Sequence, residues 1–578
     1  ELGKKRLKES YMKDDEISPQ ERFAYVSKQF SSNKDHAQRL YEYSSKHWLS
    51  YSTPILSFGR SKRGLPISCF LPYLDDSAEG LVNTLSEVNW LSMLGGGIGL
   101  GIGIRASDDK SVGVLPHLRT YDASSLAYRQ GRTRRGSYAA YLDISHPDIL
   151  MFLEIRKGTG DQNMRCLNLH HGINITDNFM EIIEKCMLDP NCDDTWNLID
   201  PHSGEIRDKV SARELWQRIL EMRMHTGEPY IHFIDTSNNE MPKFQKDIGL
   251  KIRQSNLCSE IILPTDKNRT AVCCLSSVNL EYFDEWRKDP LFLKDTAEML
   301  DNVLDYFIKN APDQIARAKY SAKRERSIGV GALGYHAYLQ KNNLPWESAL
   351  ATSANIRMFK HIRKKLDEAN LQLGEERGEA PDAKGTGRRF SHVMAIAPNA
   401  SSSILMGNTS PSIEPWRANA YRQDTLSGAY LNKNKFLDKI IKEKCNGDKE
   451  LDYNEIWSSI IANDGSVQHL EFLDAETKEI YKTSMEIDQR WIVDHAASRQ
   501  SYIDQSQSLN LFFRPDVNIK YLHAVHFQAW KQGLKTLYYC RSEKLAKADK
   551  VAKKIERQVI EEIDLKALAK DDDVCLAC

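Results

Sequence analysis

The chain has no run of 18 apolar residues, so no segment of it reads as a membrane-spanning helix. Its charges cancel: 79 Lys and Arg against 80 Asp and Glu leave a formal net charge of −1. That balance removes the electrostatic case for nucleic acid or an acidic membrane surface as a partner. The first residues, Glu1-Leu-Gly-Lys-Lys-Arg6, lack an initiator Met and the apolar core of a secretion signal. No internal repeat or low-complexity tract occurs. No Cys/His spacing matches a closed zinc site, and the terminal Cys575-x-x-Cys578 has no second such pair. The strict dinucleotide fingerprint is missing too. Within Gly95 to Arg105, only Gly101 to Ala106 matches its relaxed form, and polar Ser107-Asp-Asp-Lys110 follows instead of an amphipathic helix. A glycine-lined strand that lets a ligand approach the backbone fits this run better.

What is present is length and sulfur. The 578 residues leave room for several domains or one large barrel with additions, and for a sizeable core. Eleven cysteines, with no secretion signal, suggest reduced, cytoplasmic thiols, some of them redox-active.

The stretch Arg253-Gln-Ser-Asn-Leu-Cys-Ser-Glu-Ile-Ile-Leu-Pro264 organises the rest. Asn256, Cys258 and Glu260 stand at every second position, which in an extended segment or loop tip turns an amide, a thiol and a carboxylate toward one ligand. The apolar run Ile261 to Leu263 would anchor the segment. A second thiol pair follows in the strand-like Val272-Cys-Cys-Leu275. A lone cysteine is more often a buried, inert small hydrophobe; the Asn-x-Cys-x-Glu spacing argues for chemistry.

Elsewhere, residues 1–50 carry helical spacing and predict two short helices. Residues 79–94, 212–225, 296–320 and 355–372 also read as helices, the second opened by the capping box Ser211-x-x-Glu214. Leu65 to Pro72 reads as a short strand bounded by prolines. Arg129 to Gly136 is a basic, glycine-bearing loop suited to a phosphate or nucleotide. Ser327 to Tyr335 is a glycine-spaced strand leading into a helix. Ala397-Pro-Asn-Ala-Ser-Ser-Ser403 follows an apolar run and would present backbone N–H groups to an anion, although an ordinary Ser cap needs only one of those hydroxyls. Residues 542–570 read as a charged helix, and Asp571 to Cys578 as a polar tail.

Six of these segments, in chain order, resemble one family: Ser52-Thr-Pro54, Pro66-Ile-Ser-Cys69, the Asn256/Cys258/Glu260 loop with Cys273, Pro398 to Ser403, Thr536-Leu-Tyr-Tyr539, and the tail cysteines. Together, over about residues 40–578, they resemble the large subunit of class I ribonucleotide reductases. The resemblance implies an α/β fold: a ten-stranded α/β barrel over residues 66–565 with a catalytic finger loop inside, a helical segment at 1–65, and a redox tail at 566–578. It implies reduction of ribonucleoside diphosphates by a thiyl radical at Cys258, with Glu260 as base on the substrate 3′-hydroxyl and Asn256 bonding the substrate. Cys69 and Cys273 would supply two electrons and become a disulfide. Consecutive strand residues face opposite ways, so only one of Cys273 and Cys274 meets Cys69; aligning Cys273 to Leu280 with the family pattern selects Cys273.

The same resemblance makes Tyr538 and Tyr539 a radical relay from a separate metal-containing small subunit, with no metal bound by this chain. Cys575 and Cys578 would re-reduce the disulfide and meet thioredoxin or glutaredoxin. Thr53, Ser68, Gly97, Asn399, Ala400, Ser401 and Ser402 would bind substrate. Asp76, Ser77 and Arg105 would bind effector nucleotides (ATP or dATP, dTTP, dGTP) at a homodimer interface, and Gln130, Arg134 and Arg135 would carry their signal. Relatives usually have more residues ahead of this point, often an ATP-cone domain. The expectation is a short form, as in some viral enzymes, or an incomplete chain, with specificity control but no shut-off by dATP. Three other readings stand beside this one: an adenosylcobalamin-dependent class II reductase, against which the Tyr538-Tyr539 pair speaks; a catalytically silent nucleotide-binding homologue; and another radical enzyme on the same barrel, which would not need the tail cysteines.

Overall fold

The computed structural model describes residues 2–60, 64–128, 136–425 and 428–542. Gln130, Arg134, Arg135, the charged helix expected beyond Ser542, and Cys575 and Cys578 lie outside them.

The N-terminal segment holds three helices, Leu2–Ser10, Pro19–Gln29 and Lys34–Ser45, where helical spacing predicted two. The first escapes pattern reading because Leu7 is its only buried residue. The others have clear starts: the side chains of Ser18 and Asn33 accept from the backbone N–H of Glu21 and His36, and Pro19 opens the second helix. Phe23, Val26, Phe30, Leu40 and Tyr43 bury into the main core.

Ten strands form one mixed sheet: β1 (Leu49–Tyr51), β2 (Cys69–Leu71), β3 (Tyr73–Leu74), β4 (Gly97–Ile102), β5 (Ser137–Asp143), β6 (Leu169–Ile175), β7 (Tyr230–Phe233), β8 (Ala271–Asn279), β9 (Ile328–Leu333) and β10 (Thr536–Leu537). β2, β4, β5, β6 and β7 run parallel in that spatial order. β8 reverses direction: it pairs antiparallel with β2 and β1 and parallel with β9. At the far side β10 pairs antiparallel with β7. Isolated bridges Val330↔Met394 and Ile396↔Gln507, with Tyr538 N donating to Leu509 O at 2.9 Å, carry the pairing from β9 through 393–396 and 505–509 to β10. The ring closes, giving the expected barrel. Its strands are buried on both faces, so most read as unbroken apolar or glycine-rich runs.

Helices cover the outside. The capping box holds: Ser211 Oγ accepts from Glu214 N at 3.1 Å, opening helix Ala212–Thr226. The single helix expected over 296–320 is two, Phe292–Asn310 and Ala316–Glu325, interrupted around Pro312, which cannot donate within a helix. Residues 355–372 lie inside the longer helix Ala349–Arg377. Residues between 420 and 481 pack a small core of their own, built from Leu437, Ile441, Trp457, Ile460 and their neighbours. Cys186 and Cys192, expected as reduced thiols, are joined by a disulfide whose Cα atoms lie 5.3 Å apart, an ordinary bridging span. Among the described residues no helix is long and apolar enough to cross a membrane.

Candidate active site

Residues 253–263 enter the ring as a loop folded back on itself. Asn256 N donates to Ile261 O at 3.3 Å, Ser255 Oγ to the same oxygen at 2.7 Å, and Ile261 N to Asn256 Oδ1 at 3.1 Å. Leu257 and Cys258 form the turn, and Ser259 completes it in the left-handed region at φ 67°. The tip is therefore a turn and not a strand. Asn256 is partly spent on holding that turn, where period-two spacing would have freed it for a ligand.

The glycine run explains itself here. A Cβ at Gly99 would fall 2.5 Å from Asn256 Cα, and one at Gly101 would meet the Gln254 side chain at 2.6 Å. The expected close approach to the backbone is real, but what approaches at these two positions is the chain's own finger loop. Gly97, expected at the substrate, faces Leu257.

Side chains from around the ring latch the loop. Tyr141 of β5 donates to Asn256 O at 2.7 Å, and Asn174 of β6 donates to Arg253 O at 2.8 Å. Ser508 Oγ lies 2.6 Å from Cys258 O and 3.2 Å from Glu260 Oε2. Ser506 N donates to Glu260 O, and Thr536 Oγ1 donates to Ser259 O at 2.7 Å. Apart from Thr536, which opens the Thr536-Leu-Tyr-Tyr539 segment, none of these latches has a local motif. The only hint was Gln505-Ser506-Gln507-Ser508, four consecutive polar residues, all of them buried.

Cys258 and Glu260 are 2 % and 1 % exposed. Burial pushes the Glu260 carboxyl up, hydrogen bonds from Asn256 and Ser508 pull it down, and it settles at about 7. A carboxylate balanced there is matched to proton abstraction near neutral pH.

At the base of the loop, Ile261 and Leu263 pack with Leu71, Ala395 and Cys273, and against Cys69. Cys69 and Cys273 are direct partners in the antiparallel β2–β8 register. Cys274 turns away into the main core. Gln505 Nε2 and Ser327 Oγ donate to the Cys273 sulfur at 3.3 and 3.8 Å, and burial pushes that thiol up to about 12.

At the tip, Leu257 and Cys258 share a cluster with Ala139, Tyr141, Tyr230, Tyr538 and Tyr539. The rings of Tyr538 and Tyr539 are 4.3 Å apart. Asn510 ties the Tyr539 backbone N–H to the half-buried carboxyl of Glu414, and Arg541 lies over the Tyr539 ring at 4.0 Å. Sequence reading gave no role to Tyr230, Asn510 or Glu414.

The remaining expected positions fall in two places. Thr53 starts a short helix directly after β1, and Ser68 O accepts from Gly97 N at 2.6 Å. Asn399, at φ 50°, donates to Ser277 Oγ and Ala332 O, which fastens the turn before helix Ala400–Leu405, with Ser401 and Ser402, to β8 and β9. Away from these, Arg105 Nε meets Asp76 Oδ2 at 2.7 Å beside His202 at 3.3 Å, while Ser77 caps helix Ala78–Met93. Among the described residues no group of three or more His, Cys, Asp or Glu is arranged to hold a metal.

Comparison with known proteins gives the same direction. Residues 67–386 and 380–540 match the family described as ribonucleotide reductase, barrel domain, and residues 1–64 match ribonucleotide reductase, all-alpha domain. The chain is 54 % identical to the ribonucleoside-diphosphate reductase large subunit of Invertebrate iridescent virus 3, over 95 % of each chain. It is 39 % identical to that of Invertebrate iridescent virus 6, over 96 % of this chain and 93 % of the relative. Among solved structures, the Actinobacillus ureae class Id ribonucleotide reductase alpha subunit superposes with a TM-score of 0.83 at 35 % identity, over 94 % of this chain and 97 % of that one. With its barrel and its helical start both matched, the chain belongs to the ribonucleotide reductase large-subunit family.

Proposed function

We propose that the chain reduces ribonucleoside diphosphates to 2′-deoxyribonucleoside diphosphates by a thiyl-radical mechanism. The observation that carries the reading is that one loop touches both halves of the needed chemistry. Its tip, with Cys258, packs against Tyr538 and Tyr539; its base packs against the Cys69–Cys273 pair.

In the proposed reaction a thiyl radical at Cys258 abstracts the substrate 3′ hydrogen and becomes a thiol. Glu260 takes the 3′-hydroxyl proton. The 2′-hydroxyl leaves as water with a proton from Cys69. Two electrons come from Cys69 and Cys273, which form a disulfide, and Cys258 returns its hydrogen to the 3′ carbon, regenerating the radical. The sum is one nucleotide and two thiols converted to one deoxynucleotide, water and a disulfide. Asn256, Thr53, Ser68, Gly97 and Asn399 to Ser402 would position the substrate. Asp76, Ser77 and Arg105, with Gln130, Arg134 and Arg135, would read ATP, dATP, dTTP or dGTP.

The radical would come from the metal centre of a separate small subunit through Tyr539 and Tyr538. The tail thiols Cys575 and Cys578 would pass electrons from thioredoxin or glutaredoxin to the disulfide. The working form would be a cytoplasmic homodimer, organised as a helical segment at 1–65, a barrel at 66–565 and a tail at 566–578. Nucleotide reduction by the purified chain, with and without a candidate small subunit, tests this. Deoxynucleotide formation that needs the small subunit is expected; formation that needs adenosylcobalamin alone overturns it.

A further inference from the structure

Four tyrosines share the cluster around Cys258, and one of them, Tyr141, spends its hydroxyl on Asn256 O; the other three are Tyr230, Tyr538 and Tyr539. The Tyr230 ring lies 4.8 Å from Tyr538 and 5.1 Å from Tyr539, close to the 4.3 Å between that pair. Ring spacing alone gives a radical no reason to use Tyr538 and Tyr539 and bypass Tyr230. A tyrosine yields an electron at an accessible potential only when its phenolic proton moves as well, so the surroundings of each hydroxyl decide.

The Tyr230 hydroxyl is buried beside the Tyr539 phenol, and among the described residues it meets no partner other than that neighbour. The Tyr539 oxygen lies 3.4 Å from Nδ1 of His170. That same nitrogen is 2.6 Å from Oε1 of Glu228. Glu228 is 1 % exposed and also accepts the backbone N–H and ring Nδ1 of His171 at 3.0 and 3.1 Å, with Arg156 Nε at 3.6 Å. Burial alone would raise its carboxyl; His170 and Arg156 outweigh burial and hold it well below the usual range. An ionised carboxylate only accepts. The His170 Nδ1 therefore carries hydrogen, which Glu228 takes first and the Tyr539 oxygen shares. Tyr539 accepts on that side, so its own O–H is directed away from His170.

We propose that His170, locked by Glu228, is a positioning residue that fixes the direction of the Tyr539 O–H and so makes Tyr539 the outer member of the relay. The step it prepares is a hydrogen-atom exchange. With the radical on Tyr539, the O–H of Tyr538 breaks as the O–H of Tyr539 forms, proton and electron moving together; the return reverses it. The radical of the small subunit opens the relay by taking both the electron and the phenolic proton of Tyr539, its own X–H bond forming as the O–H of Tyr539 breaks. This rests on the relay reading given above.

The test uses the full chain with its small subunit and compares His170→Ala, His170→Asn and Tyr539→Phe. His170→Ala should lower kcat roughly ten- to hundredfold, the rate equivalent of one lost hydrogen bond to a charged partner, with KM for the nucleoside diphosphate unchanged. His170→Asn places an amide N–H where Nδ1–H stood and should restore most of kcat. A merely structural histidine predicts neither the split between kcat and KM nor the rescue. Unchanged kcat in His170→Ala, or a loss that Asn does not repair, overturns the proposal. If Tyr539→Phe itself keeps full activity, the relay reading falls; if it is inactive while His170→Ala is not, only the role of His170 falls.

Discussion

Cys69 sits directly opposite Cys273 on antiparallel strands, while Cys274, one residue on, faces the main core. The pair that can form a disulfide is thereby separated from a thiol that can only pack. Cys273→Ser should stop turnover whichever reductant is supplied, because the second electron donor is gone. Cys274→Ser should keep kcat and cost roughly 1–3 kcal/mol of stability, the penalty of burying an unpaired hydroxyl. Turnover and thermal melting of the two variants check this; activity in the first and none in the second would reverse the pairing.

Cys258→Ser should abolish deoxynucleotide formation and leave substrate and effector binding close to normal. The side chain is buried and the change in volume is small, so the loop should keep its turn. An O–H bond is too strong to replace S–H in the radical step. Product formed by this variant would remove Cys258 from its role.

Glu260 acts as a base only when ionised. Burial raises its carboxyl to about 7, so protonation below that pH should lower kcat by about tenfold per unit, with a plateau above. Ser508→Ala deletes a hydrogen bond that favours the charged form, so the acid limb should move to higher pH. A pH profile at saturating substrate measures both. A limb that stays where an ordinary exposed glutamate titrates would show that Glu260 is not the base.

Gly99→Ala should damage catalysis more than folding. Its methyl would meet Asn256 Cα at 2.5 Å, and backbone cannot rotate aside as a side chain can. Overpacking of this kind costs roughly 1–3 kcal/mol, a modest loss for a chain with this core. Displacing the loop that carries Cys258 and Glu260 should cut kcat to below about a tenth, following the sensitivity of catalysis to misplacement. Comparing kcat with the melting temperature tests it; parallel small losses would mean that the loop yields without consequence.

The finger loop was legible because three chemically demanding residues sit within five positions; of the two forms expected for it, an extended segment or a loop tip, the structure has the loop tip, turning at Ser259. The barrel was legible through resemblance, since buried strands as short as β2 and β10 carry too few residues for a period to show. The choice of Cys273 over Cys274 came from the family alignment, since no local pattern encodes the β2–β8 register that sets Cys273 opposite Cys69. Ser508, Thr536 and Tyr141 stayed hidden because each meets the loop from more than 100 residues away in sequence. The glycine run was read as making room, which was right, but for a ligand where at Gly99 and Gly101 it makes room for the loop itself.

The ring is sealed by 505–509 and β10, and these late segments also carry the Ser508 and Thr536 latches. During synthesis from the N-terminus, Cys258 emerges some 250 residues before its latch at Ser508. A nascent chain therefore carries its reactive thiol through some 250 residues of translation without the Ser508 latch. Termination between Pro264 and Gln505 yields a protein with every acid, base and thiol of the finger loop, held by Tyr141 and Asn174 but without the Ser508 and Thr536 latches.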